Sequence, residues 1–75
     1  MTRHYLDARG LRCPLPVLRA QKMLKTLAAG DVLAVEATDP GAPKDFAAFC
    51  DAAGFHLLES DESDGVFRFA IARKE

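Results

Sequence analysis

The sequence predicts an α/β (α+β) two-layer sandwich in the order βαβαββ: a four-stranded mixed sheet with both helices on one face. Three observations carry that prediction. Val17, Ala20, Met23, Leu24, Leu27 and Ala28 recur at helical spacing and make one apolar stripe. Val32, Leu33, Ala34 and Val35 form a short apolar run between turn residues, the pattern of a central strand. Residues 66–73 alternate, with Phe67, Phe69 and Ile71 on one face and Arg68 and Ala72 on the other, directly after the hairpin signal Asp64-Gly65.

Taken in order, residues 4–8 read as a short first strand. The first helix is expected over residues 14–28 or 29, closed by Gly30 in a left-handed conformation. Its polar side carries Arg19, Lys22, Lys25 and Thr26, while Leu15 and Leu18 project with Arg19 and Lys22 rather than with the core stripe. Residues 31–38 supply the second strand, and strand, helix and strand in succession imply a parallel pair with a right-handed crossover. Asp39-Pro40-Gly41-Ala42-Pro43 is a turn, because one glycine beside two prolines is no phosphate-binding cradle. The second helix is expected over residues 43–53, ending at Gly54, with Phe46, Phe49, Cys50 and Ala53 facing the core. Residues 55–60 and 66–73 are the last two strands.

Seventy-five residues make one domain, 1–75, near the lower size limit for a hydrophobic core without staples. A hydrophobic fraction of 49% with 28% charged residues is globular rather than disordered. A formal charge of −1 gives no general pull toward nucleic acid or an anionic membrane. The first residues lack the apolar run of a signal peptide, and no stretch approaches the ~18 apolar residues of a span, so a reduced cytoplasmic setting is expected.

Chemistry concentrates at Leu11-Arg12-Cys13-Pro14-Leu15-Pro16. Pro14 suits the first helical position, which makes Cys13 the N-cap or a residue within one of it. There the helix N-terminus and the neighbouring Arg12 are expected to favour thiolate and pull the thiol below the ~8.5 of a free cysteine. Asp7 and Arg9 lie close along the chain and either shape this loop or form an exposed ion pair. His4 is a possible base for the thiol, although a lone terminal histidine is more often solvated. Cys50 sits mid-helix among phenylalanines and reads as structural. Cys13, Cys50, His4 and His56 are scattered singly, so no metal site is expected.

Gly10-Leu11-Arg12-Cys13-Pro14-Leu15-Pro16-Val17 resembles the signature of the TusA/SirA family of small bacterial sulfur-carrier proteins, whose hallmark is Cys-Pro-x-Pro at the start of the first helix. The resemblance begins at Leu6-Asp7-Ala8-Arg9-Gly10 and continues through Gly30-Asp31, Asp39-Pro40, Lys44-Asp45, Phe49-Cys50 and Asp64-Gly65. It implies the same βαβαββ fold and a sulfurtransferase in which Cys13 carries sulfur covalently as a persulfide, without a cofactor. Pro14 and Pro16 complete the motif, with Arg12, Asp7 and Arg9 supporting the thiol and its loop. The implied donor is a cysteine desulfurase or a rhodanese-like enzyme. The implied acceptor is a relay protein feeding tRNA thiolation, cofactor biosynthesis or sulfur oxidation.

The residues agree with that chemistry. No resolving cysteine stands two or three positions from Cys13, so a Cys-x-x-Cys dithiol cycle is absent. Leu15 and Leu18 with Arg19 and Lys22 make a candidate docking patch, an apolar anchor with a basic rim. Other classes remain beside it: a non-catalytic RNA- or protein-binding module, a thiol redox sensor, or a family branch tied to thiosulfate or selenium. The slightly acidic charge and the lack of aromatics in a basic stripe weigh against RNA.

Overall fold

In the computed structural model, which describes residues 2–73, the expected order is realised. The elements are β1 (Arg3–Ala8), α1 (Leu15–Leu24), β2 (Val32–Ala37), α2 (Ala42–Ala53), β3 (His56–Ser63) and β4 (Val66–Ala72). The sheet runs β1-β2-β4-β3. β1 and β2 are parallel, with Leu6 opposite Val35 and Ala8 opposite Ala37. β4 is antiparallel to both β2 and β3.

The alternation read from the sequence decides which face is covered. Leu33, Val35 and Ala37 of β2 and Phe69 and Ile71 of β4 are buried with Ala20, Leu24, Phe46 and Cys50 of the helices. Phe46 of α2 stacks on Phe69 of β4 with ring centroids 4.5 Å apart, a contact worth about 1 kcal/mol beyond its buried area. On the opposite face Glu36 accepts hydrogen bonds from the Tyr5 hydroxyl and from Arg68 Nε, the latter at 2.9 Å, tying three strands together.

Besides one-residue shifts at other ends, four details stand out against expectation. First, α1 stops at Leu24, several residues short of the predicted end. The Thr26 hydroxyl donates to the Met23 carbonyl at 2.7 Å, and Arg73 Nη1 donates to the carbonyls of Leu24, Lys25 and Leu27 at 2.9, 3.2 and 2.6 Å. The last helical carbonyls are therefore satisfied from outside the helix. Gly30 does take a left-handed φ of 88°, but it turns the loop rather than capping α1. Second, Ala28 and Ala53 are exposed, so neither belongs to the core stripe in which the pattern placed it. Third, α2 begins one residue early, at Ala42, while its end is as expected, with Gly54 at φ 80° receiving the chain. Fourth, β3 extends to Ser63 with a bulge between Leu57 and Glu59 that leaves Leu58 outward. The β3–β4 connection is the anticipated tight turn, with Asp64 at φ 53° and Gly65 at φ 79°.

Candidate functional site

Parallel strands place the loops that leave them at one end of the sheet, and here those loops meet. The loop after β1 contains Cys13, and the loop after β2 runs from Thr38 into α2. Ala8, Ala37 and Ala42, all buried, leave little bulk between them. The Gly10 N–H donates to Thr38 Oγ1 at 2.9 Å, joining the two loops directly. In the second loop Asp39 Oδ2 accepts the Gly41 N–H at 2.9 Å, a local Asx turn, which is the role left to Gly41.

Cys13 is exposed at this junction, one residue before the helix cap, Pro14. Pro16 occupies the second helical position, and both prolines lack an N–H. The Leu15 N–H goes to the Arg12 carbonyl at 2.8 Å, so the first turn of α1 turns few free donors toward the sulfur. Instead the Cys13 thiol donates to Asp45 Oδ2, in the first turn of α2. A Cβ on Gly41 would lie 3.1 Å from Asp39 Oδ2 and 3.7 Å from Asp45 Oδ2, so both carboxylates flank the same small space.

This arrangement overturns the expected acidic thiol. The hydrogen bond to the Asp45 carboxylate holds Cys13 above the usual thiol range, with partial desolvation and the negative charges of Asp45 and Asp39 acting in the same direction. Arg12 is exposed and makes no hydrogen bond to the sulfur. Asp45 is the residue that sequence reading passed over. A signal was present, in that an acid in the first turn of a helix following a parallel strand shares an end of the sheet with the preceding strand's loop.

The other predicted residues separate. Arg9 and Asp7 pair with each other, Nε to Oδ1 at 2.9 Å and Nη2 to Oδ2 at 3.1 Å, and the Arg9 N–H also reaches Asp7 Oδ1. They brace the start of the loop and make no hydrogen bond to Cys13. His4 lies at the far end of β1, where its Nε2 meets Asp31 Oδ2 at 3.2 Å, so it is no base for the thiol. Cys50 is buried, 3% exposed, and burial pushes its thiol up. His56 is exposed, and among the described residues no three His, Cys, Asp or Glu side chains gather to hold a metal. Leu15 and Leu18 are 44% and 51% exposed, with Arg19 and Lys22 exposed beside them. The loop before α1 does not cover them, so an outward apolar pair lies within a turn or so of Cys13.

Residues 4–73 match the family described as Sulfurtransferase TusA. The chain is 54% identical over 68 residues to the sulfur carrier protein TusA of Allochromatium vinosum, covering 91% of this chain and 90% of the relative. It is 44% identical over 69 residues to the sulfur carrier protein TusA of Pseudomonas putida, covering 92% and 86%. The crystal structure of a SirA-like protein from Desulfitobacterium hafniense superposes over the whole of both chains with a TM-score of 0.82 at 32% identity.

Proposed function

The chain belongs to the TusA family of sulfur carrier proteins, and on that premise we propose that Cys13 is the residue on which it carries sulfur, as a persulfide accepted from one protein and handed to another. The observation that supports this is the contrast between the two thiols. Cys13 is exposed at the loop junction where a second protein can reach it, while Cys50 is closed in by the core.

In the loading step the Cys13 sulfur, as thiolate, attacks the terminal sulfur of a donor persulfide. The donor's sulfur–sulfur bond breaks, its electron pair stays on the donor cysteine, and that sulfur takes up a proton. Nothing is oxidised overall, and the sulfur moves from one thiol to the other. Unloading is the same exchange toward an acceptor thiol. The donor is a cysteine desulfurase or a rhodanese-like enzyme, and the acceptor is a protein of a sulfur relay. Leu15 and Leu18 anchor either partner, and Arg19 and Lys22 guide it.

Incubation with a cysteine desulfurase and cysteine is expected to raise the intact mass by about one sulfur atom per chain, and peptide mapping to place it on Cys13. Cys13→Ser should take up none. Cys50→Ser should still load but lose stability, by about 1–3 kcal/mol, because it puts a hydroxyl where a thiol packs. Loading that survives Cys13→Ser and vanishes in Cys50→Ser would reverse the assignment.

A further inference from the structure

Resting on the reading of Cys13 as the sulfur-bearing residue, we propose that Asp45 sets how tightly the carrier holds its sulfur. Its carboxylate stabilises the empty, protonated thiol and opposes the loaded form, so that sulfur is passed on rather than kept.

The argument follows the proton. In the empty carrier the Cys13 S–H donates to Asp45 Oδ2, a hydrogen bond to a charged acceptor. Loading converts Cys13–SH and R–S–SH into Cys13–S–SH and R–SH. The Cys13 sulfur gains a sulfur–sulfur bond, and the hydrogen it had offered to Asp45 leaves with the donor thiol. The remaining proton sits on the new terminal sulfur, where it is more acidic than on a thiol, so the loaded group is readily anionic. Asp45 therefore loses a donor and gains a negative neighbour.

The surroundings do not offset this. Asp39, across Gly41 from Asp45, adds a second negative charge to the same space. Arg12, next to Cys13 in the chain, and Lys44, next to Asp45, are both exposed. Among the described residues no ion pair reaches Asp45. Asp45 stands in the first turn of α2, the end of a helix where acidic side chains are favoured.

The test equilibrates the folded chain with a fixed ratio of glutathione persulfide to glutathione at neutral pH and reads loaded against empty chain by intact mass. In Asp45→Asn the loaded-to-empty ratio is expected to rise about fivefold, the scale of one exposed charge–charge contact. In parallel, the iodoacetamide alkylation midpoint of Cys13, followed by peptide mapping, should move to lower pH in Asp45→Asn. Asp45→Glu, which keeps the carboxylate, should stay near wild type in both readouts. If Asp45→Asn does not fold by circular dichroism, Asp45→Ser removes the same charge and carries the same expectation. An unchanged or lower ratio in the folded uncharged variant overturns this proposal alone. A wild-type chain that takes no sulfur on Cys13 overturns the carrier reading itself, and this proposal with it.

Discussion

A side chain's neighbours from distant parts of the chain decide its chemistry here, and Asp31 shows this as clearly as Cys13. Asp31 Oδ1 accepts the Thr2 N–H at 3.1 Å, while Oδ2 accepts the Ala28 N–H at 3.2 Å and meets His4. The Thr2 N–H is the largest cause holding its carboxyl below the usual range; burial opposes, and the Ala28 N–H and His4 add to the depression. A depressed folded pKa contributes stability that is present above the unfolded value, near 4, and lost as pH falls through the folded one. Asp31→Asn is therefore expected to lower the melting temperature at neutral pH and to flatten its fall between about pH 4 and the acid limit, which thermal melts across that range would show. The sequence places Cys13 at the loop-to-helix junction where it stands, but mistakes its electrostatics, because the expectation weighed only Arg12 and the helix that follows. Asp45 stands 32 positions away and reaches the sulfur only because two strands are parallel. Pairings at such separations leave no local pattern to read.

At the scale of elements, both helices, β2 and β4 were legible from their apolar patterns, β1 and β3 from their places beside turns and neighbouring elements, and the errors fall at ends. Lys25-Thr26-Leu27-Ala28 contains no helix breaker, so the apolar stripe alone carries α1 toward Gly30. Arg73, at the far end of the chain, competes for the same carbonyls. Removing it should expose what it does: Arg73→Ala is expected to cost about 1–2 kcal/mol, less than the sum of its three contacts because water replaces part of them. Amide exchange should quicken in the segment around Lys25 to Leu27, while α2 amides keep their protection. Equal loss of protection in both helices would mean that Arg73 stabilises the whole domain rather than this helix end. β3 misled in the opposite direction. Its run from Ser60 to Ser63 is polar and exposed, with no apolar alternation to announce a strand, and it is held by pairing to β4.

The whole molecule has a charge distribution that a net charge of −1 conceals. Arg12, Arg19, Lys22 and Lys25 are exposed in or near α1, which packs on the β1–β2 half of the sheet. Glu59, Asp61, Glu62 and Asp64 are exposed along β3 and its turn, at the other edge. Charges along β3, with the bulge, discourage edge-to-edge pairing with a second sheet. On the docking proposed above, the basic face of α1 would draw an acidic partner toward Leu15 and Leu18, beside the acidic space that holds Cys13. Rim charges act mainly on encounter, and a desolvated anchor acts on dissociation. Arg19→Glu combined with Lys22→Glu is therefore expected to slow sulfur transfer from the desulfurase and to flatten its decline with salt. Leu18→Ala should weaken the complex about tenfold, through a faster off-rate with little change in salt dependence. Both effects should be invisible to a small persulfide, because glutathione persulfide needs no docking surface. If desulfurase-driven loading stays at the wild-type rate in both variants, or if it falls only as much as glutathione persulfide loading does, then this face of α1 is not where the partner sits.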